Sequence, residues 1–198
     1  VAANVYSGHD TDTIFSIVRY GNVLGSRGSV VPFFIKSAET GILPITDPEM
    51  TRFLITLDQG VNFVIEVAKI CKGGEIFVPK IPVTRVVDIA DAIGPDCKKE
   101  IIGVRPGEKI HELLIGEDEG RMSFEYKECY VIRSPEMTKR FGSFGDKKGQ
   151  ANGFVYSSGT SKDVLSVADI KSLIKQNLSN NDNISKSDWN MSDVYPDN

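Results

Sequence analysis

TIFSIVRYGNVLGSRGSVVPFFIKSAETG, residues 13–41, holds the transition from which the rest of the chain can be read. Its opening, Thr13 to Tyr20, packs β-branched and aromatic residues together and reads as a buried strand. Between Gly21 and Ser29 three glycines interrupt the pattern, which suits a loop whose backbone must come close to another molecule. From Val30 the apolar residues fall at 30, 31, 34, 35 and 38, a helical spacing, with Pro32 acceptable in the first turn and Gly41 as a stop. Strand, loop and helix in this order bring the amides of Gly28, Ser29, Val30 and Val31 to a helix N-terminus, with Arg27 beside them. Such an end attracts anions, because first-turn N–H groups have no acceptor within the helix. A plain strand-to-helix turn with an exposed arginine satisfies the same pattern.

On the N-terminal side, Val1 to Ser7 reads as the end of a helix. On the C-terminal side, Ile42 to Phe53 reads as a proline-punctuated loop, and Thr56 can cap a helix that runs to about Cys71 and stops at Gly73 and Gly74. Glu75 to Val78 then reads as a strand, Val86 to Ile93 as a helix, Glu100 to Val104 as a strand, and Pro106 as the opening of a further helix. Tyr130 to Ile132 is a candidate strand, and Ser166 with Asp169 forms a capping-box start for a last helix of about ten residues. The GSFG at 142–145 has no clear strand before it or helix after it and reads as a turn. This alternation is the signature of an α/β fold. Residues 179–198, rich in Asn, Ser and Asp, are expected to form a disordered polar tail, with Trp189 exposed in it.

Composition bounds the function. With 40% apolar and 25% charged residues over 198 positions, the chain is an ordinary globular one, one large domain or two small ones. A net charge of −4 lacks the basic surplus that drives counterion release on nucleic acid, so nucleic acid is not an expected partner. No apolar run is long enough to span a bilayer. Cys71, Cys97 and Cys129, three at wide spacing with no CxxC, fit reduced thiols and a cytoplasmic location. GxSxG, HExxH and P-loop motifs are all missing, and the only histidines are His9 and His111, which argues against triad or zinc hydrolysis and against a metal. His111 reads as a structural or surface residue, and Glu117, Asp118 and Glu119 as a solvated charge run.

Anion binding is the chemistry that remains. Arg105 leaves a strand and meets Pro106-Gly107-Glu108, and Arg52 follows the polar loop that begins at Thr46. Taken singly, each is an unremarkable arginine; Arg105, for instance, could simply pair with Glu108. Together with Arg27 they suggest a clamp for a nucleotide-linked diphosphate.

VRYGNVLGSRGSVVPFF (18–34), LPITDPEMTRFLITLDQG (43–60), GGEIFVPKIP (73–82) and IIGVRPGEKIHE (101–112), in this order, resemble the inverting UDP-N-acetylglucosamine 4,6-dehydratases, which are extended short-chain dehydrogenases of polysaccharide biosynthesis. YSSGT at 156–160 and LSVADI at 165–170 extend the likeness to about Leu178. The resemblance implies an α/β fold: over 1–178, the C-terminal part of a doubly wound, Rossmann-like sheet with the smaller substrate-binding region. It also implies NADP as cofactor, UDP-N-acetylglucosamine as substrate and a homo-oligomer at full length. In that family Asn22 would contact substrate and Val23 would neighbour the nicotinamide. Arg27, Gly28, Ser29, Val30 and Val31 would wrap the nucleotide-sugar, and Ile42 and Thr46 would lie on the uridine side. Arg105 would meet the diphosphate, and Arg52 and Glu108 match positions that touch diphosphate and ribose in related enzymes. The family's catalytic YxxxK precedes the segment read here as VAAN, Val1 to Asn4, and no tyrosine of this chain has a lysine four residues on. No residue is therefore assigned a catalytic role, and the chain is expected to be inactive alone. A UDP-sugar 4-epimerase of the same superfamily and a non-catalytic UDP-sugar-binding module are the alternative readings.

Overall fold

In the computed structural model, which describes residues 13–26, 28–136, 139, 150, 153–179, 189, 191 and 194, the opening segment forms β1 (Ile17–Val18), β2 (Asn22–Val23) and α1 (Val30–Ala38). The strand expected over Thr13 to Tyr20 shortens to two residues, and the glycine loop holds a second short strand. Arg27, the Val1 to Ser7 segment and the GSFG turn lie outside the described residues.

The segment between Gly41 and Phe53 corrects the loop reading. It contains β3 (Ile42–Ile45) and the start of β4 (Thr51–Ile55). Pro44 disguised β3, yet this strand pairs on one side only, in parallel with β7 (Lys98–Ile101), so a residue without an N–H is tolerated there. The strand expected over Glu100 to Val104 is β7, displaced toward the N-terminus. Pro106 opens a turn instead of a helix: Glu108 N–H donates to Arg105 O at 3.0 Å, and Gly107, at φ +83°, takes the backbone out of the helical region. The chain then enters β8 (Leu113–Ile115).

Two helices start where local capping chemistry places them. Thr56 Oγ1 accepts from Gln59 N–H at 3.2 Å while Gln59 Oε1 accepts from Thr56 N–H at 3.0 Å, a reciprocal box that opens α2 (Leu57–Ile70). After α3 (Val86–Ile93) and the short α4 (Glu117–Gly120), Ser166 and Asp169 open α5 (Val167–Ser179), a full turn longer than the spacing suggested.

β1 lies parallel to β5 (Ile76–Pro79), which pairs antiparallel with β10 (Cys129–Ile132), followed by β9 (Ser123–Glu125), in the order β1-β5-β10-β9. β2 runs parallel to β4, whose other edge takes β6 (Val83–Arg85), and β11 (Tyr156–Ser157) pairs with β8. One apolar cluster, with Phe34, Ile45, Leu54, Ile89 and Ile170 at its centre, joins α1, α3 and α5 to β3 and β4. A second, around Phe53, Ile55, Val83 and Ile115, joins β4 to β8, and a third lies under α2 around Phe63, Phe77 and Val131. The third cluster also takes in Met191 and Val194, both buried. Trp189 is not simply exposed: its Nε1–H donates to Gln59 O at 3.0 Å and its ring meets Phe63 edge-on at 4.9 Å.

Not all of the acidic run is solvated either. Glu119 receives both guanidinium nitrogens of Arg19, at 2.7 and 2.8 Å, and this pairing holds its carboxyl below the usual range. None of Cys71, Cys97 and Cys129 is in a disulfide. Among the described residues no helix is long and apolar enough to cross a membrane, and no cluster of His, Cys, Asp and Glu is suited to a metal.

Candidate functional site

A cavity of about 540 Å³ opens where the end of the glycine loop, the start of α1, the turns after β3 and β7, and the start of β4 converge. Asn22, Gly28, Ser29, Val30, Thr46, Arg52, Arg105 and Glu108 line it, so most of the residues singled out by sequence do meet around one hollow. Three do not. Val31 turns into the core at 4% exposure, and Ile42 sits exposed at the far end of β3, about 10 Å along the strand from its cavity end. Val23 lines a separate shallow hollow with Tyr20 and the Leu57, Val61, Val64 and Ile65 face of α2.

α1 brings partial positive charge to the cavity. Its first turn carries no acidic residue, and Ser29, in the N-cap position, makes no side-chain capping bond. Among the described residues the buried Ser29 hydroxyl oxygen has no hydrogen-bond partner. The amides of Val30 and Val31 are left to the dipole end of the helix, where an anion is favoured by about 0.3–1 kcal/mol.

Arg52 is clamped in place. One terminal nitrogen donates to Thr51 O at 2.7 Å and to Ile110 O at 3.0 Å, and the other lies 3.1 Å from Met50 Sδ. Apart from Glu112, whose nearest oxygen is 3.9 Å from Nε, these partners are neutral, so much of the charge remains available to a ligand. Arg105 stands at the start of a turn; the helix end expected beside it is not there, and its place at the cavity comes from the parallel pairing of β7 with β3. Among the described residues its guanidinium has no carboxylate partner, and Glu108 meets only its backbone N–H, at 3.3 Å. Pro32, Phe33, Phe34, Pro44, Met50, Val86 and Ile102 supply apolar wall. Two cations, one helix end and an apolar wall suit a ligand with a diphosphate joined to flat or apolar-faced rings.

Sequence reasoning missed the polar frame behind the cavity. Glu112 bonds Asn22 Nδ2 and the Phe53 N–H, and His111 Nδ1 and Ser158 Oγ both bond Thr51 Oγ1, at 2.8 and 2.7 Å. His111 packs so closely on Gly159 that a Cβ there would lie 2.7 Å from the ring, which gives it a structural task. The hollow at Val23 offers an apolar wall that could face one planar ring. Among its lining residues none is charged, so nothing there would hold the phosphates of a dinucleotide.

The profile of the polysaccharide biosynthesis protein family matches residues 1–134. An inverting UDP-N-acetylglucosamine 4,6-dehydratase of Campylobacter jejuni is 46% identical over 167 residues, covering 80% of this chain and 50% of that protein. A UDP-glucose 4-epimerase of Rickettsia conorii is 40% identical over 126 residues, covering 61% of this chain and 37% of that one. Among solved structures, Pen from Bacillus thuringiensis superposes with a TM-score of 0.71 at 35% identity, over 86% of this chain and 52% of its own. The chain thus spans about half the length of the curated dehydratases it matches. The α/β architecture, with its parallel β1–β5, β2–β4 and β3–β7 pairs, is Rossmann-like and of the extended short-chain dehydrogenase type. With its motifs, its fold and a family profile that runs from Val1 to Ser134 in agreement, this chain belongs to the polysaccharide biosynthesis protein family.

Proposed function

We propose that this chain is the substrate-binding part of an NADP-dependent, C5-inverting UDP-N-acetylglucosamine 4,6-dehydratase that serves surface-glycan or pseudaminic acid biosynthesis. The observation that carries the reading is the meeting of Arg52, Arg105 and the first turn of α1, from three separate stretches of chain, at one cavity. On this reading the two guanidinium groups and the amides of Val30 and Val31 hold the diphosphate. Ser29 offers it a hydroxyl, Thr46 and Pro44 flank the uridine side, and Asn22 faces the sugar. Arg27, Val31 and Ile42 keep the roles that the family resemblance implies only as part of this proposal.

When bound, the nicotinamide cofactor supplies the hydride acceptor and donor of a redox-neutral sequence: C4 is oxidised, water is lost across C5 and C6, and C6 is reduced. The described residues contribute binding and orientation to that sequence, with Val23 presenting an apolar wall beside Asn22. None of the tyrosines is followed by a lysine four residues on, so the pair that the family resemblance implies for abstracting the C4 hydroxyl proton is not found in this sequence, and we read the chain alone as inactive. A cytoplasmic location and a homo-oligomer at full length belong to the same proposal.

Calorimetric titration with UDP and with UDP-N-acetylglucosamine tests the reading. Saturable binding of both is expected, without formation of a 4-keto-6-deoxy sugar. Arg105→Gln is expected to weaken UDP by about 10- to 150-fold and to flatten its salt dependence, since a charge-assisted contact contributes about 1.5–3 kcal/mol. A chain that ignores UDP, or a variant that binds it as tightly as wild type, overturns the reading. The 40% identity to a UDP-glucose 4-epimerase favours a second reading, sugar epimerisation. A parent enzyme that inverts C4 without losing water would support that alternative.

A further inference from the structure

Glu112 occupies a place that the binding proposal leaves without a task. Its Oε1 accepts from Asn22 Nδ2 and its Oε2 accepts from the Phe53 N–H, both at 2.9 Å. In the β2–β4 ladder Asn22 stands opposite Leu54, so the Phe53 N–H falls where β2 has not yet begun, and the carboxylate supplies the acceptor that a strand would. Glu112 is itself pinned at the backbone, its N–H donating to Ser158 Oγ at 2.8 Å and its carbonyl accepting from the Ser158 N–H at 2.9 Å.

This arrangement fixes the direction of the Asn22 amide. Were its ends exchanged, Asn22 Oδ1 would face a carboxylate oxygen, acceptor against acceptor. With Nδ2 committed to Glu112, Oδ1 is left to accept from a ligand. The same carboxylate lies 3.9 Å from Arg52 Nε, where it attracts the guanidinium and damps its field in the cavity.

We propose that Glu112 is a positioning residue of the cavity: it holds Asn22 with Oδ1 as the acceptor for a hydroxyl or amide N–H of the sugar, and it tempers the hold of Arg52 on the diphosphate. The inference rests on the proposal that the cavity takes a UDP-sugar. It makes Glu112 act with opposite sign on the two halves of the ligand, which a general structural role does not do.

Glu112→Gln has an oxygen at only one of the two positions from which Oε1 and Oε2 accept, and an NH2 donor at the other, so it cannot reproduce the bonds to both Asn22 Nδ2 and the Phe53 N–H. Calorimetry on the 198-residue chain compares wild type, Glu112→Gln, Asn22→Ala and the double variant, each with UDP and with UDP-N-acetylglucosamine, alongside thermal midpoints. The preference for the sugar nucleotide over UDP is expected to fall about fivefold in Glu112→Gln, the loss of one neutral hydrogen bond, while UDP alone binds about threefold more tightly, and UDP binding no tighter than wild type counts against the inference. Asn22→Ala is expected to show the same loss of preference, and the double variant no further loss. Parallel weakening of both ligands with a lowered midpoint, an unchanged preference, or additive losses in the double variant each overturn the inference. Should Glu112→Gln fail to fold, Glu112→Asp replaces it. Aspartate keeps the charge but is one methylene short, so loss of preference without tighter UDP binding is expected, and retained preference counts against the inference. A wild-type chain that binds neither ligand overturns the function proposal together with this inference; one that binds both while the variants keep its preference overturns this inference alone.

Discussion

Replacing Gly21 by alanine sets one added methyl group against the strand that carries Arg52. A Cβ at Gly21 would lie 2.4 Å from Phe53 Cβ and 2.8 Å from Phe53 O. Carbon atoms in contact prefer about 3.5–4.0 Å, so β2 and β4 would have to part by about 1 Å. Phe53 has little room to yield: it is fully buried, its ring lies 4.7 Å from that of Tyr156, and its N–H is bonded to Glu112. The displacement therefore falls on β2, straining the 2.8 Å bond from Leu24 N–H to Ile55 O and the Asn22–Glu112 bond at 2.9 Å. Overpacking of this kind costs about 1–3 kcal/mol, and with a weakened hydrogen bond we expect about 3 kcal/mol. For a chain of this size that is a fall of roughly 6–12 °C in thermal midpoint. Gly60→Ala is the control. Gly60 lies in α2 with only Tyr20 Cζ near, at 3.8 Å, and alanine there is expected to stabilise by about 0.5–1 kcal/mol. Circular dichroism melts of both variants decide the matter. A Gly21→Ala midpoint within a degree or two of wild type would refute the claim that β2 is seated directly on Phe53.

Tyr156, whose hydroxyl both accepts from Ile81 N–H and donates to Ile81 O at 3.1 Å, has its phenol pushed up by burial from 10.0 to about 12. The folded state therefore keeps this proton longer than the unfolded one, and the stability it contributes is complete below pH 10 and lost as pH rises toward 12. Tyr156→Phe should cost about 1–2 kcal/mol at neutral pH and lessen that alkaline loss, as read by urea unfolding across pH. Glu119 behaves in the opposite sense: Arg19 lowers its carboxyl below 4.5, so its contribution is present above that pH and lost as pH falls through the lowered value. With both side chains about one third exposed, at 33% and 31%, Glu119→Gln should cost only about 1 kcal/mol at neutral pH and flatten the acid limb of the stability curve. Trp189 is the one tryptophan, so intrinsic fluorescence should be blue-shifted and should report unfolding of the face that carries α2. Trp189→Ala should lower stability by about 1–2 kcal/mol, and an unchanged urea midpoint would speak against its docking on Phe63.

Elements built from contacts a few residues apart could be read from the sequence. The cap at Thr56, the pair at Ser166 and Asp169, and the apolar spacing of α1 and α3 all rest on neighbours three or four positions away, and they stand where the pattern put them. β3 could not be read this way. Its partner, β7, lies more than fifty residues on, and Pro44 makes sense there only once it is known to occupy a strand paired on a single side. The Arg19–Glu119 pair, across a separation of 100, was hidden for the same reason.

The cavity divides along the same line. Sequence alone supplied the ingredients: a helix start with free amides, arginines in loops and at a strand end, and motifs specific enough to name a family. It could not say that Arg52 and Arg105 meet while Val31 turns to the core and Ile42 stands apart, nor that Glu112 would hold Asn22. Those outcomes depend on which strands lie side by side. The free energy that aligns them comes from burying apolar surface in clusters shared by distant segments, a non-directional force that leaves no periodic trace at any single residue.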